Sequence, residues 1–273
     1  MHADPASTHL RILCVGDVVG APGRRVVREA LEELVPRHKI DSVIVNAENV
    51  AGGAGLTPSL FEKLLRCGVD VITLGDHIYR RREIIPVLES SDRVVRPANL
   101  PASAPGKTFV VRRTASTQPV AVISVLGRMF MKTPTDCPFH AVDRALAELP
   151  RDVKVIVVDM HAEATSEKVA MGWHLDGRVS VVFGTHTHIP TADQRVLPGG
   201  TAYITDLGMT GPYDSVLGRD KRRVLSALRS SVPSPFDVAT DDVRLSGVLV
   251  TVDAATGRAT AIERIMYEAR DEA

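Results

Sequence analysis

The sequence predicts an α/β protein built around a mainly parallel sheet. Short β-rich runs alternate with amphipathic segments through the first half of the chain, which is the pattern of repeated strand, helix and strand units. The length of 273 residues allows one full core, so we expect a single domain over 1–273. A hydrophobic content of 44% and a charged content of 24% are ordinary values for a folded globular protein.

The overall charge and the cysteines argue against a protein that binds long nucleic acid, a membrane protein and a disulfide-bonded secreted protein. Lys plus Arg and Asp plus Glu number 33 each, so no broad electrostatic field favours long nucleic acid or an anionic membrane. The longest apolar runs are too short to span a bilayer, and the N-terminal residues show no basic-then-apolar signal pattern. Cys14, Cys67 and Cys137 lie far apart without C-x-x-C spacing, and we expect them to be reduced and structural. The expected location is the cytoplasm.

The predicted strands are short runs rich in Val, Ile and other residues that favour β-structure. In chain order they are RILCVGD, DSVIVNAEN, VDVITLGDH, KTFVVRR, PVAVISVLG, VKVIVVDMH, RVSVVFGTH, TAYITD, SGVLVTVD and ATAIERI. The fourth and fifth runs are expected to pair through a polar turn around 116–118, where the helical crossovers pause.

The predicted helices are PGRRVVREALEELVPRH, TPSLFEKLLRCG, AVDRALAELP and ATSEKVAMGWHL, which space their apolar residues at helical intervals. Pro22 lies near the first turn of the first helix, where proline is tolerated. Thr57 is a suitable N-cap for the second helix, with Pro58 at its first position. Residues 208–243 are richer in Gly, Pro, Ser and charged residues and form a candidate cap or lid.

Polar side chains of metal-binding type follow the apolar part of several predicted strands. They are Asp17, Asn46, Glu48, Asn49, Asp76, His77, His161, His186 and His188. Because the carboxyl ends of parallel strands share one edge of a sheet, the loops that carry these residues are expected to converge on one crevice. Oxygen and imidazole ligands without Cys suit Mn, Fe or Zn. The set is larger than one ion needs and favours two ions about 3.5 to 4 Å apart, bridged by a carboxylate and a water.

Taken one at a time, these residues have simpler interpretations. An Asp that follows a strand, such as Asp17, is often a helix N-cap. His161 alone could be a hydrogen-bonded core or surface histidine. In extended backbone His186 and His188 would share one face, where they could bind a metal or line a polar pocket. It is their joint position at separate strand ends that favours a metal site.

Other motifs fail on spacing or have a structural interpretation. PGKT lacks the preceding glycine of a phosphate loop, VGDVVGAPG lacks the second glycine of a dinucleotide fingerprint, and no G-x-S-x-G elbow occurs. The arginines at 24–25 and 80–82 are interpreted as solvated helix faces, with contact to a substrate phosphate as the alternative. In HAEATSEK, capping and first-turn roles are favoured over substrate binding for Glu163, Ser166, Glu167 and Lys168.

The strings GDVVG, NAEN, GDH, HAEATSEK, GTHTH and TAYITDLGMTGP occur together and in this order. With them the chain resembles the calcineurin-like metallophosphoesterases, and within these the bacterial YmdB-like group of 2′,3′-cyclic-nucleotide 2′-phosphodiesterases. The resemblance runs through nearly the whole chain. It implies a layered α-β-β-α sandwich that carries a centre of two metal ions.

By position, the resemblance also implies a role for each candidate residue. One ion would be bound by Asp17, Asn49 and His188, the other by Asp76, His161 and His186, and Glu48 would bridge both. His77 would donate a proton to the leaving oxygen. The family usually has Gly-Asn-His where this chain has Gly75, Asp76 and His77. The added negative charge is expected to reduce the electrophilicity of the metal and to raise the pKa of His77.

The resemblance implies an enzyme that hydrolyses small phosphodiesters, in particular 2′,3′-cyclic nucleotides, which can derive from RNA. A hydroxide bridging two Fe or Mn ions, with Zn as an alternative, would attack phosphorus while His77 protonates the leaving group. Two other functions stay open: a metal-assisted nucleotide- or RNA-binding regulator with little turnover, and a phosphomonoesterase of the same fold. A homo-oligomer is also open, and no substrate-binding residue is assigned.

Overall fold

The computed structural model of the chain describes residues 9–114 and 116–270. The helices are α1 (Gly20–His38), α2 (Pro58–Arg66), α3 (Ile85–Ser90), α4 (Pro138–Glu148), α5 (Thr165–Leu175) and α6 (Lys221–Ser230), with a 3₁₀ turn at Arg82–Ile84. The strands are β1 (His9–Val15), β2 (Asp17–Val18), β3 (Ser42–Asn46), β4 (Val71–Thr73), β5 (Val94–Val95), β6 (Phe109–Arg113), β7 (Pro119–Leu126), β8 (Val155–His161), β9 (Val181–Thr185), β10 (Arg195–Val196), β11 (Ala202–Ile204), β12 (Met209–Pro212), β13 (Val243–Asp253) and β14 (Ala259–Glu268).

The strands form two sheets, each with a parallel core. The first sheet has the order β2-β12-β13-β1-β3-β4-β5, and β14 pairs with β13. In it β1, β3, β4 and β5 run parallel, while β13 runs antiparallel to β1 and places Gly247 opposite Val15. The second sheet has the order β10-β11-β9-β8-β7-β6, with β7, β8, β9 and β11 parallel. Helical connections between parallel strands leave the carboxyl ends of each core at one edge.

Three apolar cores separate the layers of the molecule. One core, which includes Ile12 and Phe183, lies between the two sheets. A second core packs α1 and α2 onto the first sheet through residues such as Leu31 and Leu64. A third packs α4 and α5 onto the second sheet and includes Met171. The predicted α-β-β-α sandwich is therefore confirmed.

The helix starts follow the sequence signals. The Thr57 side chain accepts a hydrogen bond from the backbone N–H of Leu60 at 3.2 Å, and Pro58 is the first residue of α2. Pro22 lies in the first turn of α1, as predicted. Both helices begin directly after loops that leave the carboxyl ends of β2 and β3, and the Thr57 cap helps to fix the loop after β3.

Residues 208–243 contain regular structure that the sequence analysis did not predict. Strand β12 is part of the first sheet, and α6 is capped by the Asp220 side chain, which accepts from the backbone N–H groups of Arg222 and Arg223. The surrounding Gly, Pro and Ser residues conceal this helical run. Arg219 donates to the carbonyl oxygens of Gly52 and Gly53, which follow the candidate ligands on the β3 loop. Closure of this segment over a substrate stays a prediction.

Across residues 9–114 and 116–270, none of the helices is both long enough and apolar enough to cross a membrane.

Candidate metal centre

The structure brings the ligands that the resemblance implies together at the carboxyl edges of both sheets. The first sheet contributes Asp17 at the start of β2, Glu48 and Asn49 after β3, and Asp76 and His77 after β4. The second sheet contributes His161 as the last residue of β8, and His186 and His188 after β9. The site therefore spans the gap between the two sheets, which requires the sandwich to form before the ligands can meet.

One half of the centre is a tight cluster of two carboxylates and two imidazoles. One donor atom from each of Glu48, Asp76, His161 and His186 lies within 4.8 Å of the others. The Nε2 atom of His161 is 3.1 Å from Oδ1 of Asp76, 3.1 Å from Nδ1 of His186 and 3.5 Å from Oε2 of Glu48. Donor atoms of this kind at this spacing suit a divalent transition metal.

The other half of the centre surrounds the Asn49 side chain. Its Nδ2 atom is 3.4 Å from Oδ1 of Asp17, 3.2 Å from Nε2 of His188 and 3.2 Å from Oε1 of Glu48. Glu48 thus directs one carboxylate oxygen to each half. Rotation of the Asn49 amide by half a turn would exchange its nitrogen for an oxygen, and the two orientations have the same shape.

The outer nitrogen of each candidate imidazole ligand faces a polar partner, through a hydrogen bond in His161 and His188 and through an ion-pair contact in His186. His161 Nδ1 lies 2.8 Å from Thr185 Oγ1, His188 Nδ1 lies 3.1 Å from the Leu217 carbonyl oxygen, and His186 Nε2 lies 3.3 Å from a Glu163 carboxylate oxygen. A histidine that donates its outer N–H presents the lone pair of its other nitrogen to the centre. This arrangement is the usual environment of a metal-binding histidine, so the residues fit a pair of metal ions.

Burial and charge also favour cations in this site. Asp17, Glu48 and His161 are buried. Burial would raise the pKa of Glu48, but His161 and a hydrogen bond with His77 hold it below its ordinary value. Burial would lower the pKa of His161, but the carboxylates of Glu48 and Asp76 raise it to about 10. Grouped buried carboxylates need positive charge beside them, which bound cations would supply.

Gly75 makes room for the cluster. A Cβ atom at this position would lie 2.2 Å from His161 Nε2 and 2.4 Å from a Glu48 carboxylate oxygen. Both distances are shorter than any real contact of a Cβ atom, so only glycine fits here. The residue before Asp76 thus approaches the donor atoms with its backbone alone.

His77 occupies a different position from the other imidazoles. Its side chain is 29% exposed, its backbone N–H donates to Glu48, and its Nδ1 atom is 2.8 Å from Oδ1 of Asn49. A hydrogen bond with Glu48 raises the pKa of His77, with smaller contributions from the charges of Glu48 and Asp76. The imidazole is therefore both accessible and disposed to carry a proton.

The two histidines of GTHTH differ from the sequence prediction in their backbone. β9 ends at Thr185, so His186 and His188 lie in the loop beyond it, with φ angles of 97° and 65°. The prediction that they share one face of an extended strand is wrong. His186 approaches His161 while His188 approaches Asn49, because the left-handed backbone directs the two rings to different halves of the centre. Such conformations cost about 1–3 kcal/mol each and cluster at functional sites.

Asp159 supports the centre but was not predicted from the sequence. Its carboxylate accepts hydrogen bonds from Thr185 Oγ1 at 2.6 Å, Thr73 Oγ1 at 2.6 Å and Asn46 Nδ2 at 3.0 Å. Asn46, a candidate ligand by sequence, therefore lies behind the centre. Burial raises the pKa of Asp159 to about 6. Its position two residues before His161 on a buried strand was the available signal, since both side chains then share a face.

The residues of HAEATSEK mostly bind other segments, contrary to the capping interpretation. α5 has Ala164 at its N-cap and no side-chain capping bond. Glu167 lies in the first turn, but its carboxylate accepts from the backbone N–H groups of Arg128 and Met129. Lys168 is buried and donates to the Thr185 carbonyl oxygen. The helix start thus holds loops at the edge of the site.

Two arginines predicted as solvated brace the loop that carries Asn49. Arg24 donates to the Val50 carbonyl oxygen and Arg81 to the Ala51 carbonyl oxygen. Burial lowers the pKa of Arg24. Contact of these arginines with a substrate phosphate stays a prediction.

Known proteins are similar to this chain in sequence and in fold. Residues 13–265 match the family model described as YmdB-like protein. The chain is 46% identical over 257 residues to the 2′,3′-cyclic-nucleotide 2′-phosphodiesterase of Bacillus subtilis (strain 168), covering 94% of this chain and 97% of that protein. A hypothetical protein from Thermus thermophilus has a similar crystal structure, with a TM-score of 0.88, 40% identity and coverage of 95% and 99% of the two chains.

A phosphatase from Mycoplasma pneumoniae is a further structural relative, with a TM-score of 0.89, 34% identity and coverage of 95% of this chain and 94% of that chain. The family match, the identity and the shared fold agree along almost the whole length. The chain belongs to the YmdB-like protein family.

Proposed function

We propose that this protein is a metal-dependent phosphodiesterase that hydrolyses small phosphodiesters, with 2′,3′-cyclic nucleotides as its substrate class. The observation that carries the proposal is the pair of donor groups joined by Glu48, in which the outer nitrogens of His161 and His188 are hydrogen-bonded and that of His186 faces a Glu163 carboxylate. The identity to the Bacillus subtilis 2′,3′-cyclic-nucleotide 2′-phosphodiesterase supports the same reaction here.

The contacts support one ligand set for each of two ions. Asp17, Asn49 and His188 would hold one ion, and Asp76, His161 and His186 would hold the other, with Glu48 shared. Oxygen and imidazole donors without thiolates suit Mn or Fe, with Zn as an alternative. Bound cations would neutralise the phosphodiester and lower the pKa of a coordinated water to about 7.

The residues of the chain supply orientation and a proton. The hydrogen bonds that His161 and His188 donate to the Thr185 hydroxyl and the Leu217 carbonyl oxygen fix which imidazole nitrogen of each ring faces the centre. His77 holds the proton that the leaving alkoxide requires, because Glu48 raises its pKa. His77 must therefore face the ester oxygen that leaves.

The test is hydrolysis by protein that has been stripped with a chelator and reloaded with Mn²⁺. We expect turnover of bis-p-nitrophenyl phosphate and of 2′,3′-cyclic AMP, with the 3′-nucleotide as product because the bond to the 2′ oxygen is broken. Glu48→Gln keeps the shape of the side chain but removes its charge, so metal content and activity should fall together. Full metal occupancy in that variant would contradict the bridging role.

A nucleotide- or RNA-binding regulator is the second candidate. Asp76 favours it, because an additional carboxylate beside the ion weakens the ion as a Lewis acid. In that case the Mn²⁺-loaded protein would bind a cyclic nucleotide without hydrolysing it. The same assay, with equilibrium binding measured in parallel, separates the two functions.

The proposed location is the cytoplasm. Cys14, Cys67 and Cys137 are free thiols, and burial raises the pKa of Cys14 far above its ordinary value. Unpaired thiols of this kind support a reducing compartment.

A further inference from the structure

A buried ion pair lies directly behind the loop that carries His186 and His188. Lys168 from α5 donates its Nζ to the carboxylate of Asp206, and each of the two residues is 1% exposed. We propose that Lys168 and Asp206 are positioning residues that hold this loop in the conformation in which both imidazoles reach the metal centre. The proposal rests on the proposed function for its consequence, and on the contacts below for its geometry.

The ion pair contacts the loop at two points. Lys168 Nζ donates to the Thr185 carbonyl oxygen at 2.8 Å, directly before His186. Asp206 Oδ2 accepts from the Thr187 hydroxyl at 2.8 Å and from the Thr187 N–H at 3.4 Å. Thr187 is the residue between the two histidines. The pair therefore fixes the backbone on each side of His186.

Asp206 is itself held in place by the backbone around it. Its Oδ1 atom accepts from the Gly208 N–H at 2.8 Å, and its own N–H donates to Thr191 Oγ1 at 2.9 Å. The neighbouring Met209 N–H donates to the His188 carbonyl oxygen at 3.2 Å. The carboxylate is thus a fixed point against which Thr187 can be held.

Gly184 opens the path that Lys168 follows to the loop. A Cβ atom at Gly184 would lie 2.9 Å from Cδ of Lys168 and 1.8 Å from the Thr205 carbonyl oxygen. The aliphatic stem of Lys168 passes over this glycine, which lets the ammonium group reach beyond the end of β9. The approach depends on a backbone position without a side chain.

The loop needs such a restraint because its backbone is strained. His186 and His188 have φ angles of 97° and 65°, a region that residues other than glycine rarely occupy. Conformations of this kind persist where surrounding contacts determine them. The contacts to Thr185 and Thr187 are made by charged groups, which form stronger hydrogen bonds than neutral ones.

Two variants separate positioning from stability. Lys168→Met removes the ammonium group and leaves Asp206 buried and unpaired, so it should lower the melting temperature. The double variant Lys168→Met with Asp206→Leu replaces the ion pair by apolar side chains, which often restores stability. Neither variant can bind the Thr185 carbonyl oxygen, and the double variant also loses the contact with Thr187. We expect the Mn²⁺ affinity of both to fall about 10- to 100-fold, as measured by titration calorimetry on metal-free protein.

Thr201→Val is the matched control. The Thr201 hydroxyl donates to the carbonyl oxygens of Leu175, at the end of α5, and of Val179, and it accepts from the Gly177 N–H. These groups lie before β9 and β11 begin, at the opposite end of the strands from the centre. The substitution should lower the melting temperature while leaving Mn²⁺ affinity within about twofold of the wild type. A double variant that regains Mn²⁺ affinity together with stability overturns the proposal, as does unchanged affinity in Lys168→Met.

A second measurement does not require metal. Amide hydrogen exchange of the 184–189 segment in metal-free protein should be about tenfold faster in the double variant than in the wild type, and unchanged in Thr201→Val. Equal exchange in the wild type and the double variant overturns the proposal. Failure of the wild type to bind Mn²⁺ contradicts the proposed function instead, because the exchange measurement still decides whether the pair restrains the loop.

Discussion

His77 is the one candidate residue whose role depends on a proton rather than on a lone pair. It is more exposed than His161 and contacts Glu48 and Asn49 through the same nitrogen. His77→Ala should keep the metals and lower turnover of 2′,3′-cyclic AMP by about 10²–10⁴-fold, which is the usual contribution of a general acid. Steady-state kinetics beside metal analysis would show this.

The leaving group provides the control for His77. p-Nitrophenolate leaves without protonation, so hydrolysis of bis-p-nitrophenyl phosphate by His77→Ala should fall much less. An equal loss on both esters would contradict the role of His77 as proton donor, and a loss of metal would assign it to binding instead.

Asp76 offers a test of the departure from the family pattern. Its charge contributes to the raised pKa of His77, after the hydrogen bond with Glu48. A general acid loses activity as the pH rises through its pKa, so Asp76→Asn should move the alkaline limb of the kcat profile to lower pH. We also expect a higher kcat at the optimum, because the ion becomes more electrophilic. A shift to higher pH would contradict this interpretation.

Gly75 gives a steric prediction at the same scale. Gly75→Ala would place a methyl group 2.2 Å from His161 Nε2, so Mn²⁺ binding should be lost while the fold forms. Gly68→Ala is the control, because its Cβ would meet open space and its φ of 97° adds only backbone strain, about 1–2 kcal/mol. Metal analysis after dialysis distinguishes them, and normal Mn²⁺ content in Gly75→Ala would refute the steric argument.

At the scale of elements, β8 and β9 also connect the two sheets beneath the centre through hydrogen bonds. Asp159 on β8 joins the two sheets by accepting from Thr73 on β4 and Asn46 at the end of β3. Thr185 at the end of β9 connects this carboxylate to His161. The polar contacts beneath the centre therefore couple strand packing to the orientation of an imidazole.

Thr185→Val tests this coupling with a side chain of similar shape. The variant leaves Asp159 with one hydrogen bond fewer in a buried site, which should lower the free energy of unfolding by about 1–3 kcal/mol. It also frees His161 Nδ1, so Mn²⁺ affinity should fall about tenfold. Denaturant unfolding and calorimetry measure the two effects, and loss of stability with unchanged affinity would limit Asp159 to a structural role.

The elements show which parts of the fold the sequence can predict. Strands such as β3 and β8 are fully buried runs of branched residues, so their existence and order were predictable. The meeting of their carboxyl ends also followed, because parallel strands share an edge. α3 and α6 escaped prediction, since the first has six residues and a proline and the second lies among turn-forming residues.

Tertiary contacts explain what the sequence could not predict in the site. The left-handed backbone of His186 and His188 depends on contacts with Asp206, more than a dozen residues further along the chain. Likewise, Lys168 reaches the Thr185 carbonyl oxygen only because α5 packs against β9. Local propensity carries no information about such partners.

At the scale of the whole molecule, protons and metal ions compete for one charged centre. Carboxylates of Glu48 and Asp76 outweigh burial and raise the pKa of His161 to about 10, so this ring is protonated in the metal-free protein at neutral pH. A histidine must lose its proton to bind a metal. Mn²⁺ binding at pH 7 should therefore release about one proton from His161.

The sign of the pH dependence follows from this competition. Between about pH 6 and pH 8 His161 stays protonated in the metal-free protein, and the metal must displace this proton, so Mn²⁺ affinity should rise about tenfold per pH unit for each proton released. Titration calorimetry in buffers of different ionisation enthalpy counts the protons. Affinity that is independent of pH over this range would show that His161 is neutral before the metal binds.

The pairing of β1 with β13 has a consequence for synthesis of the protein. β1 lies between β3 and β13 in the first sheet. His9 at the start of β1 pairs with Asp253 of β13, which follows more than two hundred residues later in the chain. During translation, the parallel strands of both sheets leave the ribosome before β13, which covers the free edge of β1. A nascent chain therefore keeps an open strand edge until late, and this edge can pair with another chain and aggregate until β13 covers it.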